Sequence, residues 1–215
     1  MSRPRRELTT TSYAILGLLA IRPWSTYELA GQMRRNLHYL WPRAESNLYA
    51  EAKRLADGGY ARARKEPFGE ERERTVYSIT VRGRRALERW LGEPGGESRF
   101  ESETLVKILF SPFGSKDELL ARLHDLRAEL QARRQALRAI FEEYLRGEDA
   151  FPERVHVNAL CYRLLWEQAA AQARSTQWAI RVVEQWPDVS RPPSRRAALQ
   201  WLRDALASDD RVEQF

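Results

Sequence analysis

The sequence predicts a mainly α chain with one small β-hairpin, built as a compact N-terminal module followed by a domain of long helices. Three observations predict it. Apolar residues recur at helical spacing in three successive segments before residue 60, and the pattern then switches to alternation at period two. The stretch Gly92-Glu93-Pro94-Gly95-Gly96 punctuates the chain as a linker, which divides it into residues 1–95 and 96–215. Beyond the linker, two long segments carry apolar residues at alternating steps of four and three, the spacing of a heptad stripe.

The first helix is expected over Thr9 to Ala20, opened by threonines or a serine that can cap it and apolar on nearly every side, as in a buried helix. Ile21-Arg22-Pro23-Trp24 breaks it. Ser25-Thr26-Tyr27-Glu28 has the form of a capping box, because a serine can accept from the backbone N–H three residues on while the glutamate reaches back. A second helix follows to about Arg35. The third runs from Trp41 to Tyr60: Leu48, Ala52 and Leu55 fall on one side, and Arg43, Ser46, Ala50, Lys53 and Arg54 on the other, with Asn47 and Tyr49 on the flanks. Pro42 suits its first turn and Gly58-Gly59 its end. Residues 60–65 and 74–79 then alternate as two strands, joined at Pro67-Phe68-Gly69-Glu70, and Thr80 caps a fourth helix over Val81 to Leu91. Three helices followed by a hairpin make the winged helix-turn-helix layout, in which the third helix enters a major groove and the hairpin, the wing, touches the adjacent backbone.

In the second half, Ser98 with Glu101 and Ser115 with Glu118 are further capping boxes, and the latter starts a long helix. Its stripe is Leu119, Leu123, Leu126, Leu130, Leu137, Ile140 and Tyr144, broken by Arg133. A second stripe runs through Val155, Ala159, Tyr162, Trp166, Ala169, Ala173, Thr176, Ile180 and Val183. The two helices, joined at Arg146 to Pro152, form an antiparallel pair whose exposed seams call for a partner, most simply a second copy of the chain. A short amphipathic helix over Ala198 to Leu206 and a frayed tail at Ser208-Asp209-Asp210 complete the chain.

Charge is divided unevenly. Residues 1–95 hold 18 Lys and Arg against 11 Asp and Glu, and residues 96–215 hold 18 against 19, so the whole excess of the +6 chain lies in the first half. A basic module carried by a neutral domain fits polyanion binding by one and a separate task for the other. The single cysteine, Cys161, excludes an internal disulfide framework, and no spacing of Cys and His suggests a metal site. No apolar run reaches the length of a membrane span and no signal peptide is recognisable, so a cytoplasmic protein is expected. His38, His124 and His156 lie in three separate segments without a nucleophile or acid at an informative spacing, and no glycine-rich phosphate loop is present. No enzyme and no cofactor is expected.

These residues together resemble the PadR family of bacterial transcriptional regulators, in its class with a long helical C-terminal dimerisation domain. The resemblance rests on Tyr13-Ala14-Ile15-Leu16-Gly17-Leu18-Leu19, on Ser25 with Tyr27-Glu28-Leu29, on Leu48-Tyr49 with Arg54-Leu55 and Gly59-Tyr60, and on Arg74 with Val76-Tyr77-Ser78-Ile79-Thr80 and the helix after it. Lys107-Ile108-Leu109-Phe110 resembles the start of the dimerisation domain. Two departures stand out: Ala50 follows Tyr49 where the family commonly has proline, and Glu70, Glu71 and Glu73 make the wing tip less cationic.

The resemblance implies a homodimeric repressor that binds double-stranded DNA at a pseudo-palindromic operator and is released by a small aromatic effector. Two third helices would meet successive major grooves about 34 Å apart or a multiple of that. The DNA-contact candidates are Arg43, Ser46, Asn47, Tyr49, Lys53 and Arg54 on the third helix and Arg72 and Arg74 on the wing, cations for phosphates or guanine edges and polar groups for bases. Arg3, Arg5 and Arg6 form a basic arm, read as either a backbone-tracking segment or a disordered tail. Tyr162, Trp166 and Trp178 are candidates for a ligand pocket or for the dimer seam. A protein-interaction scaffold, favoured by the acidic wing tip, and a non-specific DNA-binding protein are the competing readings.

Overall fold

The computed structural model describes residues 8–37, 40–41, 48–68, 72–97, 100–191 and 193–209. The chain divides into two compact units, Met1–Ser98 and Arg99–Phe215, against the expected boundary after residue 95.

In the first unit, helix α1 (Thr10–Ile21) starts at a true capping box: the Thr9 side chain accepts from the Ser12 backbone N–H, and Ser12 Oγ accepts from that of Thr9 at 2.8 Å. A two-residue strand, β1 (Trp24–Ser25), follows and pairs with β3 below, which the periodicity does not reveal. The expected Ser25/Glu28 box opens α2 (Thr26–Gln32), and the chain then widens into a π-helical turn, Met33–Leu37, that keeps Met33 in the core. Helix α3 is described over Leu48–Asp57, with Leu48, Ala52 and Leu55 buried as expected. Gly59, at φ +74, turns the chain into the wing, a left-handed conformation that glycine adopts without penalty.

The wing strands are longer than the alternation suggested. β2 (Ala61–Phe68) pairs antiparallel with β3 (Arg72–Ile79) from Ala61↔Ile79 to Phe68↔Arg72. Pro67 and Phe68, expected in the turn, therefore belong to the strand; β2 is an edge of the β1-β3-β2 sheet, where the missing N–H of proline costs no ladder bond. Helix α4 (Val81–Leu91) is capped by Thr80, and a Cβ at Gly83 would collide with the Tyr60 carbonyl oxygen, so glycine is required for this close packing. The core gathers Ile15, Leu16, Leu19, Trp24, Leu29, Met33, Leu48 and Leu55, each fully buried side chain contributing about 1.5–3 kcal/mol. Trp24 donates to the Leu18 carbonyl at 2.7 Å, and Tyr13 stacks on Trp90 to tie α1 to α4.

The second unit opens with α5 (Glu103–Leu109), capped by Ser102; Glu101 lies outside the helix, so the expected box with Ser98 does not start it, and Ser98 itself is outside the described residues. After a 3-10 turn, the Ser115/Glu118 box opens α6 (Lys116–Leu145) as expected. Helix α7 (Val155–Glu184) returns antiparallel, with Leu119 and Leu123 against Ile180 and Val183 at one end and Tyr144 beside Tyr162 at the other. Helix α8 (Arg195–Asp209) is longer than expected and includes Ser208 and Asp209, which were read as frayed; Asp210 lies outside the described residues.

The two heptad stripes bury each other. Leu119, Leu123, Leu130 and Leu137 face Tyr162, Leu165, Ala169, Thr176 and Ile180, so these seams are filled within one chain and do not call for a partner. What remains exposed is different: Leu105, Val106, Leu109, Phe110 and Phe113 on α5 and its 3-10 turn, and Val157, Leu160 and Leu164 along α7. Among the described residues no helix is long and apolar enough to cross a membrane, and no cluster of His, Cys, Asp and Glu is arranged to hold a metal ion.

Candidate nucleic-acid interface

With Leu48, Ala52 and Leu55 turned inward, helical geometry sends Tyr49, Ala50 and Lys53 outward from α3. Tyr49 is 61% exposed, far more than an aromatic side chain needs to be unless it has a partner. Arg43, Ser46 and Asn47, expected on the same helix, lie outside the described residues.

Arg54 is placed differently from its neighbour Lys53. Its guanidinium turns toward α1, donating through Nε to Glu51 at 2.9 Å and through Nη2 to Ser12 Oγ at 2.9 Å, while Ser12, fully buried, also donates to the Glu51 carboxylate. The Glu51 hydrogen bond holds Arg54 in its charged form more firmly than usual. The trio fastens α3 to α1 and thereby aims Tyr49 and Lys53.

On the wing, Arg74 Nη2 lies 3.5 Å from Glu66 and its guanidinium sits 5.6 Å from the Phe68 ring. Lys65 is paired with Glu73 at 2.8 Å. Arg72 stands opposite Phe68 in the ladder. Arg62 and Arg64, not singled out by sequence, are exposed and form no ion pair among the described residues. Strand alternation alone could have flagged them, since at positions i and i+2 of β2 they share one face of the hairpin.

An open groove of about 670 Å³ joins the start of α2, the start of α3 and the wing, with Tyr27, Glu28, Tyr49, Phe68, Arg74 and Thr75 in its wall. It brings together Tyr49 and Arg74, two expected site residues, and adds Tyr27 and Phe68, both exposed. Glu28 is held below the usual carboxylate range, first by its hydrogen bond with Ser25, with Arg22 and Arg74 adding smaller attraction. The remaining candidates lie in the second unit. Tyr162 is buried beside Tyr144, Trp166 packs against Phe141, and Trp178, 44% exposed, meets Trp201 of α8 edge-on at 5.8 Å.

Residues 15–89 match the model of the transcriptional regulator PadR-like family. The negative transcriptional regulator PadR of Bacillus subtilis is 29% identical over 135 residues, spanning 62% of this chain and 74% of that protein. The crystal structure of Bacillus subtilis PadR in complex with operator DNA superposes with a TM-score of 0.72 at 22% identity, over 81% of this chain and 99% of that one. The same protein in complex with p-coumaric acid gives 0.67 at 21% identity, over 82% and 100%. At these identities the solved structures establish the fold, a winged-helix module with a helical C-terminal part. Residues 15–89 therefore carry a domain of the transcriptional regulator PadR-like family.

Proposed function

We propose that this chain is a homodimeric repressor that binds a pseudo-palindromic DNA operator through α3 and the wing of each copy and lets go when a small ligand binds. The observation that carries the reading is the outward face of α3, where Tyr49 and Lys53 project beside a groove shared with Tyr27, Phe68 and Arg74. Tyr49 supplies a ring and a hydroxyl for base edges, Lys53 a charge for phosphate, and Arg62, Arg64 and Arg74 the wing's backbone contacts. Arg43, Ser46, Asn47 and Arg72 remain part of the proposed contact set; Arg54 acts by holding the helix. Residues 1–95 serve as the DNA-binding domain and residues 96–215 as the dimerisation domain.

A second copy would cover the apolar stripes of α5 and α7, which a monomer has no reason to leave in water. The relative's p-coumaric acid complex supports a planar aromatic effector here, with half-exposed Trp178 the accessible aromatic candidate and Tyr162 and Trp166 part of the seam that would respond. A regulator of this kind works in the cytoplasm and needs neither catalysis nor a cofactor.

The test is a titration of the operator selected from genomic DNA by the purified protein. Tyr49→Ala with Lys53→Ala should weaken operator binding by about tenfold or more while leaving the melting temperature in place. Unchanged affinity of the double variant would remove α3 as the reading helix.

A further inference from the structure

We infer that the C-terminal unit carries a second ligand site, a cationic cleft between α6 and α7 that takes an elongated small molecule with anionic groups at both ends. The cleft has a volume of about 590 Å³ and is lined from both helices by Arg127, Arg134, Arg174 and Arg181, with no Asp or Glu in its wall. None of the four arginines forms an ion pair among the described residues, although this half of the chain has more acidic than basic residues. Of the acids near them in sequence, Asp125 pairs with Arg122 at 3.2 Å and Glu167 with Arg163 at 2.5 Å, while Glu129 and Glu184 do not line the cleft. Four like charges converging on one cleft repel each other, and an anion relieves the repulsion.

Two arginines are already held in position. Arg127 Nη1 donates to Gln177 Oε1 at 3.3 Å, and the Arg134 guanidinium rests over the Trp166 ring at 4.8 Å. The Arg134 Nε is buried with no hydrogen-bond acceptor among the described residues, which leaves the outer guanidinium nitrogens as the groups that can serve a ligand in the cleft. Ala170 and Ala173 keep the floor low between the helices.

The cations come in two groups. Arg127 and Arg134 are seven residues apart on α6, as are Arg174 and Arg181 on α7, and at 1.5 Å of rise per residue each pair spans about 10 Å. Because the helices run antiparallel, Arg127 lies beside the Arg181 end and Arg134 beside the Arg174 end. Guanidinium forks at each end suit carboxylate or phosphate oxygens. On α7 the cleft lies about 120° around the axis from the apolar stripe of Val157, Leu160 and Leu164, by the 100° advance per residue. A second copy covering that stripe leaves the cleft open.

The site is tested without DNA, so its outcome is separate from that of the operator reading. Calorimetric titration of the full-length chain with inorganic tripolyphosphate and with suberate, a linear dicarboxylate, should show saturable binding of at least one probe, one per protomer. Preference for the first assigns phosphate-bearing ligands, and for the second dicarboxylates. Arg134→Gln with Arg174→Gln should weaken that binding at least tenfold, and Arg163→Gln, away from the cleft, should leave it unchanged. Arg174→Gln alone, at an exposed position, should cost severalfold and carries the test if the double variant fails to fold. Saturable binding of neither probe, or equal binding by wild type and variants, overturns the proposal. So does a change in oligomeric mass or in operator affinity of the folded variants without probe, which would assign the arginines to a second copy or to DNA.

Discussion

The two units finish their cores in opposite ways. In the first, α1, α2, α3 and the sheet enclose Ile15, Trp24 and Leu55 completely, and the outward face of α3 carries Tyr49, Ala50 and Lys53 with no large aliphatic side chain among them. In the second, α6 and α7 satisfy each other along one seam, and the chain is left with apolar residues on the outside, Phe113 being 91% exposed. A surface left over from a closed core is free to read a polyanion. One left over from an open, two-helix core calls for more protein. The difference separates the proposed DNA-reading face from the proposed assembling face within one chain.

Charging the leftover surface of the second unit should have the largest effect. Leu109→Glu with Leu164→Glu places carboxylates on the outward stripes of α5 and α7, where both leucines are exposed and support no core of their own. The dimer dissociation constant should rise roughly a hundredfold or more, as for two central interface residues, with helix content unchanged. Sedimentation at fixed concentration reads it, and a dimer of unaltered mass would mean that these stripes are not where copies meet. Operator affinity should fall with dimerisation, since the half-sites are no longer bridged.

The next test lies within the first unit, between adjacent cations. Lys53→Ala should reduce the slope of log affinity against log salt by about 0.9 for each half-site and leave the melting temperature unmoved. Arg54→Ala should do the reverse. It strips the partly buried Glu51 and Ser12 of a charged donor, at a cost of about 1.5–3 kcal/mol in stability, and should leave the salt slope of the folded fraction as it was. A reduced salt slope with normal stability in Arg54→Ala would return Arg54 to the DNA face.

That contrast also shows what a sequence can and cannot disclose. The capping boxes at Ser25/Glu28 and Ser115/Glu118 were legible because donor, acceptor and spacing all lie within four residues. The order of helices and hairpin was legible for a similar reason, each element being defined by its own period. Arg54 was not, because its direction is decided by Ser12, on another helix, as much as by Glu51 one turn away. Strand β1 escaped because two residues have no periodicity; it exists through Tyr77 and Val76 across the sheet. The heptad stripes were read correctly as apolar seams, but periodicity does not say whether the complementary stripe belongs to the same chain or to another. The arginines of the α6/α7 cleft lie on separate helices, and only the antiparallel return of α7 gathers them.

The smallest effect concerns the wall of the groove proposed to face DNA, where Glu28 caps α2. Its carboxyl is lowered first by a hydrogen bond with the Ser25 side chain and then by the Ser25 backbone N–H, which donates to it at 2.8 Å. The folded carboxyl therefore titrates below the unfolded one, so its contribution to stability is complete above the ordinary carboxylate range and is lost as pH falls through the lowered folded value. Glu28→Gln keeps the shape but removes the titration. At pH 7 the variant should be less stable by no more than about 1 kcal/mol, the usual size of a helix cap. Below pH 4 its urea midpoint should converge on that of the wild type. Because Arg22 and Arg74 also face this carboxylate, removing its charge should slightly strengthen operator binding at neutral pH if Arg74 reaches phosphate. Two midpoint curves that stay parallel down to pH 3 would show that the cap works through shape alone, and that the groove's acid and its wing cation are uncoupled.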